Sequence, residues 1–254
     1  MGTSLKNFWA RAGDRLLAIA FPRTCVVTGA PLEEDDYENV AAAAVENVRF
    51  IGKDACPFCG APYENPEKFC AWCRERPISE FADVPVRCAV LGTQEIVELV
   101  HVYKYKFVRG IARDMARMAE RSDGYFDFLK NSILVPVPLW KKRFRWRGFN
   151  QSEFYAKELA KRVPGARVKD LLVRNRDTGT QTLLSGDERR KNIEGAFDVP
   201  AKITLDPAER YVVIDDVFTT GSTLGACVAA LHEHGAKNIA VATFVRAIKH
   251  SCGI

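Results

Sequence analysis

An unbroken apolar run at residues 211–214 is followed directly by the acidic pair Asp215 and Asp216. Because the run is rich in β-branched side chains, it predicts a strand buried on both faces of a parallel sheet. Small and hydroxyl-bearing residues follow at 219–223, and a helical pattern then continues to about His234. The stretch therefore predicts a strand, an acidic strand end, a polar turn and a helix.

Strand and helix patterns alternate over much of the remaining chain. Further strands are predicted at residues 86–91, 133–138 and 238–245. Helical spacing covers residues 93–119, with a break near Gly110, and residues 150–163. This alternation predicts an α/β fold whose parallel sheet is flanked by helices, with the ligand at the carboxyl ends of the strands.

The polar turn and the acidic pair together favour one kind of ligand. Free N–H groups and the helix dipole at residues 219–223 favour an anion. Asp215 and Asp216 would accept hydrogen bonds from neutral hydroxyls, and their charge would favour positive charge developing at an anomeric carbon. A ribose 5-phosphate carries both the anion and the hydroxyls.

Other sites also place acidic residues after an apolar strand. A Walker B strand ends in this way, but the sequence contains no Gly-x-x-x-x-Gly-Lys-Ser/Thr motif. A receiver domain would need more chain after the acidic pair than is present. A solvated acidic strand end with a polar helix cap remains the non-functional alternative.

Residues 211–223 resemble the signature of type I phosphoribosyltransferases, which bind phosphoribosyl pyrophosphate (PRPP). Phe218 is bulkier than the aliphatic residue usual in that signature. The resemblance implies Mg-assisted displacement of pyrophosphate from PRPP by an acceptor, with Asp215 and Asp216 as catalytic residues. The substrate-binding residues that it implies in this stretch are Val217, Thr219, Thr220, Gly221, Ser222 and Thr223.

Two Cys-x-x-Cys pairs lie ten residues apart in the N-terminal third. Their members are Cys56, Cys59, Cys70 and Cys73. Four thiolates with this spacing suit a tetrahedral zinc. A redox pair would need a thioredoxin-like strand and helix around it, which this segment does not predict. With four protein ligands the metal has no open position, so its predicted role is structural.

Nearly the full chain resembles the ComF family, competence-associated proteins with a cysteine-rich N-terminal lobe and a C-terminal phosphoribosyltransferase domain. We therefore predict an amphipathic helix and a small zinc-ribbon-like lobe in residues 1–85, and a type I phosphoribosyltransferase-like domain in residues 86–254. A turn at residues 25–31 resembles a zinc knuckle whose second cysteine has become Thr28. Ala41 and Ala44 would replace its partner pair, although an ordinary Ala-rich helix also explains them.

Cations and aromatic side chains alternate at residues 140–149. In one interpretation Lys141, Lys142 and Arg143 belong to a loop that holds the pyrophosphate of PRPP, because an anionic leaving group needs cations or a metal. In another, the segment binds single-stranded DNA, with aromatic rings stacking on bases. A solvated basic turn is the third interpretation.

A long polar segment at residues 174–197 is either a disordered surface loop or a lid. The resemblance to phosphoribosyltransferases favours a lid, which would exclude water from an activated sugar. Gln181, Arg189 and Asn192 are its candidate functional residues.

Composition changes this picture little. Charged residues make up 27% of the 254 residues and the formal net charge is +5, which suits anionic small molecules without indicating nucleic acid. No apolar run is long enough for a membrane span, and the scattered remaining cysteines favour a reducing cytoplasm.

The expected partners are PRPP and, in a competence setting, single-stranded DNA or competence machinery. The alternative function is a non-catalytic PRPP-fold protein that binds such a partner.

Overall fold

The structure, a computed structural model, describes residues 23–62, 70, 73, 84–106, 108–178, 193 and 195–247. Its strands are β1 (Val86–Leu91), β2 (Ile133–Pro136), β3 (Arg167–Val168), β4 (Val173–Arg174), β5 (Phe197–Asp198), β6 (Arg210–Phe218) and β7 (Asn238–Arg246). Its α-helices are α1 (Gln94–Tyr105), α2 (Ile111–Glu120), α3 (Tyr125–Leu129), α4 (Lys141–Arg147), α5 (Gln151–Ala160) and α6 (Ser222–Glu233). A short 3₁₀ helix covers Ala42–Val45.

Five strands form a parallel sheet in the order β1-β7-β6-β2-β3. The two long strands β6 and β7 lie at its centre, and β4 and β5 form a separate antiparallel pair. Parallel strands covered on both faces read as continuous apolar runs, which is why the pattern at 211–214 is unbroken. The predicted parallel α/β fold is confirmed.

Side chains of β6 divide between two hydrophobic clusters. Val212 and Ile214 pack with α1, α2 and α5 on one face of the sheet. Tyr211 and Val213 pack with α6 and the cysteine-rich segment on the other face. This division follows from the two-residue period of a strand, and it brings the N-terminal cysteines into the same core as the sheet.

Strand β6 is longer than its apolar run predicts. Its pairing with β7 continues past Ile214, with Asp215 opposite Thr243 and Phe218 opposite Arg246. The acidic pair therefore lies in the C-terminal half of the central strand β6, where pairing with β7 holds the backbone. Gly221, with φ +86°, then starts α6.

The basic segment at residues 141–147 forms the helix α4 and not the turn or loop that its sequence suggested. No glycine or proline interrupts residues 139–147, and Gly148 ends the helix in a left-handed conformation with φ +72°. The cations are consequently spaced around a helix surface.

Part of the N-terminal segment covers the edge of the sheet. The backbone of Ile51 donates to Ala89, and that of Leu91 donates to Arg49, so residues 49–51 lie antiparallel to β1. This pairing supplies hydrogen-bond partners to the backbone groups on the edge of β1 that does not pair with β7. The boundary between lobes at residue 85 stays a prediction. In the described part of the chain, every helix is too short or too polar to cross a bilayer.

Candidate active site and metal centre

The two carboxylates at the end of β6 have different partners. Asp215 Oδ1 accepts hydrogen bonds from Ser152 Oγ at 2.7 Å and from the backbone N–H of Asp216 at 3.0 Å. Burial, followed by the neighbouring charge of Asp216, raises the pKa of Asp215 to about 7. One of the two carboxyl groups is thus ready to take up or release a proton near neutral pH.

Asp216 forms an ion pair with a lysine from the end of α1. Its Oδ2 lies 3.1 Å from Lys104 Nζ, and the two side chains are only 4% and 15% exposed. The approach is not aligned as a hydrogen bond, so Oδ2 retains its acceptor capacity. Such a carboxylate can receive a ligand hydroxyl while its charge stays balanced.

A second cation, Arg147, lies near the same carboxylate. Its side chain is 5% exposed and donates to Gln151 Oε1. Burial lowers the pKa of Arg147, and the charge of Asp216 opposes that shift. The guanidinium also lies over the ring of Tyr105, 5.6 Å from its centroid. Asp216 is therefore balanced by two buried or nearly buried cations.

The turn before α5 places Ser152 against Asp215. Asn150 caps the helix, since its Oδ1 accepts the backbone N–H of Ser152 at 3.2 Å. Its Nδ2 donates to the carbonyl of Val137 at 3.0 Å, which joins the helix start to the end of β2. Asn150 is thus a helix cap that also sets the position of the hydroxyl that contacts Asp215.

The turn from β6 to α6 has the features of an anion site. Thr220 Oγ1 and Ser222 Oγ lie 3.1 Å apart, and Gly221 allows the chain to reverse with a positive φ. The first N–H groups of α6 have no partner within the helix. Backbone amides and side-chain hydroxyls therefore lie close together in the loop that follows Asp215 and Asp216 along the chain.

Further cations surround this strand end. Burial lowers the pKa of Arg174, and the positive charge of Arg143 lowers it further. The negative charge of Asp215 opposes this shift. Lys141 and Lys142 are exposed on α4. The structure thus places Arg143 within electrostatic range of Arg147 and Arg174, and leaves the two lysines on the helix surface. The candidate lid residues Gln181, Arg189 and Asn192 lie outside the described residues.

Four cysteine sulfurs meet in the N-terminal region. Cys56, Cys59, Cys70 and Cys73 are buried, and their sulfurs lie within 4.8 Å of one another. The Cys56–Cys73 and Cys59–Cys70 sulfurs are 3.8 Å and 3.4 Å apart. A tetrahedral zinc with bonds of about 2.3 Å would separate its sulfurs by about 3.8 Å. The cluster therefore fits a four-thiolate zinc.

A second turn has the same backbone geometry as the first zinc knuckle. In the knuckle, Cys56 N–H donates to Ala61 and Gly60 N–H to Cys56, both at 2.8 Å. In the other turn, Cys25 N–H donates to Ala30 at 2.7 Å and Gly29 N–H to Cys25 at 2.8 Å. The turn keeps a knuckle shape although Thr28 stands where the second cysteine would be.

Of the side chains at the site, the sequence did not nominate Ser152. Arg147 belongs to the basic segment for which pyrophosphate binding was one interpretation, and for Lys104 phosphate contact was the alternative to a solvated helix end. Lys104 lies in a run of lysines and tyrosines at a helix end, a setting typical of solvated residues. Ser152 and Arg147 flank residues 148–151, where the sequence shows only the end of a basic segment and the start of a helical pattern. Their spacing from Asp215 and Asp216 along the chain gave no sign that they meet.

The family model described as Phosphoribosyl transferase domain matches residues 149–251. The chain is 33% identical over 193 residues to the DNA utilization protein YhgH of Salmonella typhimurium, covering 73% of this chain and 81% of that protein. Competence protein F of Haemophilus influenzae is 28% identical over 199 residues, with 76% and 84% covered.

Competence protein ComFC of Streptococcus pneumoniae is 29% identical over 117 residues, covering 46% of this chain and 49% of that protein. Residues 149–254 are too few to account for the 193 positions aligned with YhgH. The similarity to that protein therefore extends N-terminal to residue 149, beyond the part that the family model matches.

Proposed function

This chain belongs to the ComF-like family, and from that premise we propose that it binds PRPP at the end of β6 and transfers the phosphoribosyl group with release of pyrophosphate. The observation that carries the proposal is the succession of a paired carboxylate, an anion-binding turn and surrounding cations within one strand end. A sugar phosphate that also bears a pyrophosphate matches all three features.

In this proposal the carboxylates hold the ribose. Asp215 and Asp216 accept hydrogen bonds from the 2- and 3-hydroxyls, and their charge favours the positive charge that develops at the anomeric carbon. The turn at residues 219–223 and the dipole of α6 hold the 5-phosphate. Each group lies on or next to the central strand of the sheet, which is paired on both sides, and this favours a fixed geometry for the reacting carbon.

Lys104 has a further part in the same proposal. When ribose hydroxyls hydrogen-bond to Asp216, the lysine shares its charge with the incoming pyrophosphate, and Arg147 and Arg143 add positive charge to the same region. Cations near the pyrophosphate stabilise the negative charge that develops on it as it leaves. Lys141 and Lys142, exposed on α4, would add to the positive field that attracts PRPP to this edge.

Two metals enter the proposal in different roles. Zinc on Cys56, Cys59, Cys70 and Cys73 would hold the N-terminal segment against β1 without taking part in chemistry. Mg²⁺ prefers oxygen ligands and usually arrives with substrate phosphates, so carboxylates and pyrophosphate suit it. When bound, Mg²⁺ neutralises charge on the leaving group. A reducing cytoplasm remains our proposed setting, because the free cysteines would stay reduced there.

Isothermal calorimetry with PRPP and Mg²⁺ on zinc-loaded protein tests the binding step. We expect binding by the native chain and a loss of at least about tenfold in Asp216→Asn, since a charge-assisted hydrogen bond is worth about 1.5–3 kcal/mol. Asp123→Asn is the control, because Asp123 is an exposed carboxylate in a loose 4.0 Å pair with Lys53. The absence of heat with PRPP at millimolar concentration would refute the proposal.

The catalytic step needs a separate measurement. Pyrophosphate release from PRPP should be followed against a panel of nucleobases and amines, with Asp216→Asn as the inactive control. PRPP binding without release across the panel would favour the non-catalytic alternative, in which the PRPP fold serves as a scaffold or sensor.

One observation favours a DNA-binding role as a second candidate. On α4, Phe144 and Trp146 are 46% and 57% exposed, between exposed cations. Exposed aromatic rings among cations suit single-stranded DNA, whose bases stack and whose phosphates pair with Lys or Arg. Affinity for an oligonucleotide should fall steeply with salt, and Arg145→Ala should reduce that slope by about 1. Lys130→Ala is the control, because Lys130 follows the end of α3 and lies on the other side of β2 along the chain from α4. Equal slopes for the two variants would contradict the role.

A further inference from the structure

Arg246, the last residue of β7, contacts the turn that joins β6 to α6. Its side chain is 6% exposed. Nη1 donates to the carbonyl oxygens of Phe218 and Thr219, both at 3.3 Å, and of Ala247 at 2.9 Å. The guanidinium also lies 4.9 Å from the centroid of the Phe218 ring. One buried cation thus holds two successive peptide groups at the start of the anion-binding turn.

The direction of these carbonyls fixes the direction of the neighbouring amides. In a planar trans peptide the C=O and N–H bonds point in opposite directions. Because the carbonyls of Phe218 and Thr219 face Arg246, the N–H groups of Thr219 and Thr220 point away from the guanidinium. Those are two of the groups available to an anion, so Arg246 orients donors that it does not itself touch.

Arg246 also lies within electrostatic range of the cysteine centre. Burial raises the pKa of Cys88 to about 11, and the positive charge of Arg246 opposes that rise. Cys88 in turn contacts the first knuckle, with its sulfur 3.9 Å from the carbonyl oxygen of Cys59. Through its backbone, Arg246 accepts a 2.9 Å hydrogen bond from Gly92, just past the end of β1.

A zinc held by four thiolates has a net charge of about −2, and a buried charge of that kind needs a cation nearby. Arg246 is a buried cation that contacts the turn, and its strand is paired with β1, which carries Cys88 against this centre. Its guanidinium cannot lose its proton in a protein, so its charge is available in every state.

We propose that Arg246 is a positioning residue that couples the cysteine centre to the phosphate-binding turn. The guanidinium is the counter-charge of the metal centre and, at the same time, aims the amides of Thr219 and Thr220 at the ligand. The identity of that ligand rests on the proposed function, whereas the order of the turn is a property of the ligand-free chain and can be measured by itself.

The test compares Arg246→Met and Arg246→Lys with Arg210→Met on intact, zinc-loaded protein. Arg210 is a matched control at the opposite end of β6, because it donates to the Phe128 carbonyl at 2.6 Å and lies 4.7 Å from that ring. Hydrogen exchange of residues 218–223 and the rate of zinc transfer to a chelator are measured in each. The affinity for ribose 5-phosphate is measured by calorimetry.

We expect Arg246→Met to accelerate both exchange in residues 218–223 and zinc transfer by at least about tenfold, since hydrogen bonds to a charged group are being removed. Arg246→Lys keeps the charge but not the three-way donation, so it should accelerate exchange and leave zinc transfer near the native rate. Arg210→Met should change neither. Ribose 5-phosphate should bind about tenfold more weakly to both Arg246 variants.

Native exchange rates in residues 218–223 of Arg246→Lys would overturn the proposal, and this variant decides the matter if Arg246→Met does not fold. Faster exchange in Arg246→Met with an unchanged rate of zinc transfer would overturn the coupling. If both rates change as expected while the native chain shows no affinity for ribose 5-phosphate, the coupling is supported and the proposed function fails.

Discussion

The ion pair between Lys104 and Asp216 gives the sharpest test of the geometry at the end of β6. The two side chains are 15% and 4% exposed and their charged atoms lie 3.1 Å apart. Lys104→Met would leave the buried carboxylate with Arg147 as its nearest counter-charge. Removing one partner of a buried pair typically costs about 3–5 kcal/mol. Because Arg147 remains, we expect a loss near the lower end, about 3 kcal/mol in the free energy of unfolding.

Urea denaturation of zinc-loaded protein measures this loss, and a calorimetric scan should show a fall in Tm of roughly 6–12 °C. The double variant with Asp216→Asn should recover part of the loss, since the unpaired charge is gone. Lys157→Met is the control: Lys157 pairs with Glu153 on the surface of α5, and such pairs contribute under about 0.5 kcal/mol. A loss below about 1 kcal/mol for Lys104→Met would refute the reasoning.

Three other predictions follow from the same contacts. The pKa of Asp215 is raised to about 7 in the folded chain, whereas the unfolded chain releases this proton near pH 4. The free energy of unfolding contributed by this group therefore falls as pH rises from about 4 to 7. PRPP affinity should rise over pH 6–8 as the carboxylate forms, and calorimetry on Asp215→Asn should show a flatter profile. Gly60→Ala should be clearly more destabilising in thermal scans than Gly29→Ala: both glycines have positive φ, but a Cβ at Gly60 would lie 2.5 Å from Cys88 Sγ, whereas nothing lies within 4 Å at Gly29. Equal losses would contradict this packing. Chelation of zinc should accelerate hydrogen exchange in residues 49–62 and β1 before the rest of the sheet, and uniform exchange would show that the metal does not hold that edge.

The candidate site was only partly visible in the sequence. Asp215 and Asp216 stand out because an apolar run stops at them, and the four zinc-site cysteines stand out by their spacing alone. Both patterns are local, since each depends on residues that lie within a few positions of one another. Lys104 and Ser152 carry no such mark, because their partners lie 112 and 63 positions away along the chain.

By itself, the sequence determined the elements whose physics is local: the apolar strands, the polar turn that precedes α6 and the paired cysteines. Only the tertiary structure decided which cations lie near Asp216, that the basic segment is a helix, and that Arg246 holds the turn before α6. The reason is that burial and ion pairing depend on distances through space. Those distances are set when β7, α1 and α5 pack on β6, and no spacing along the chain records them.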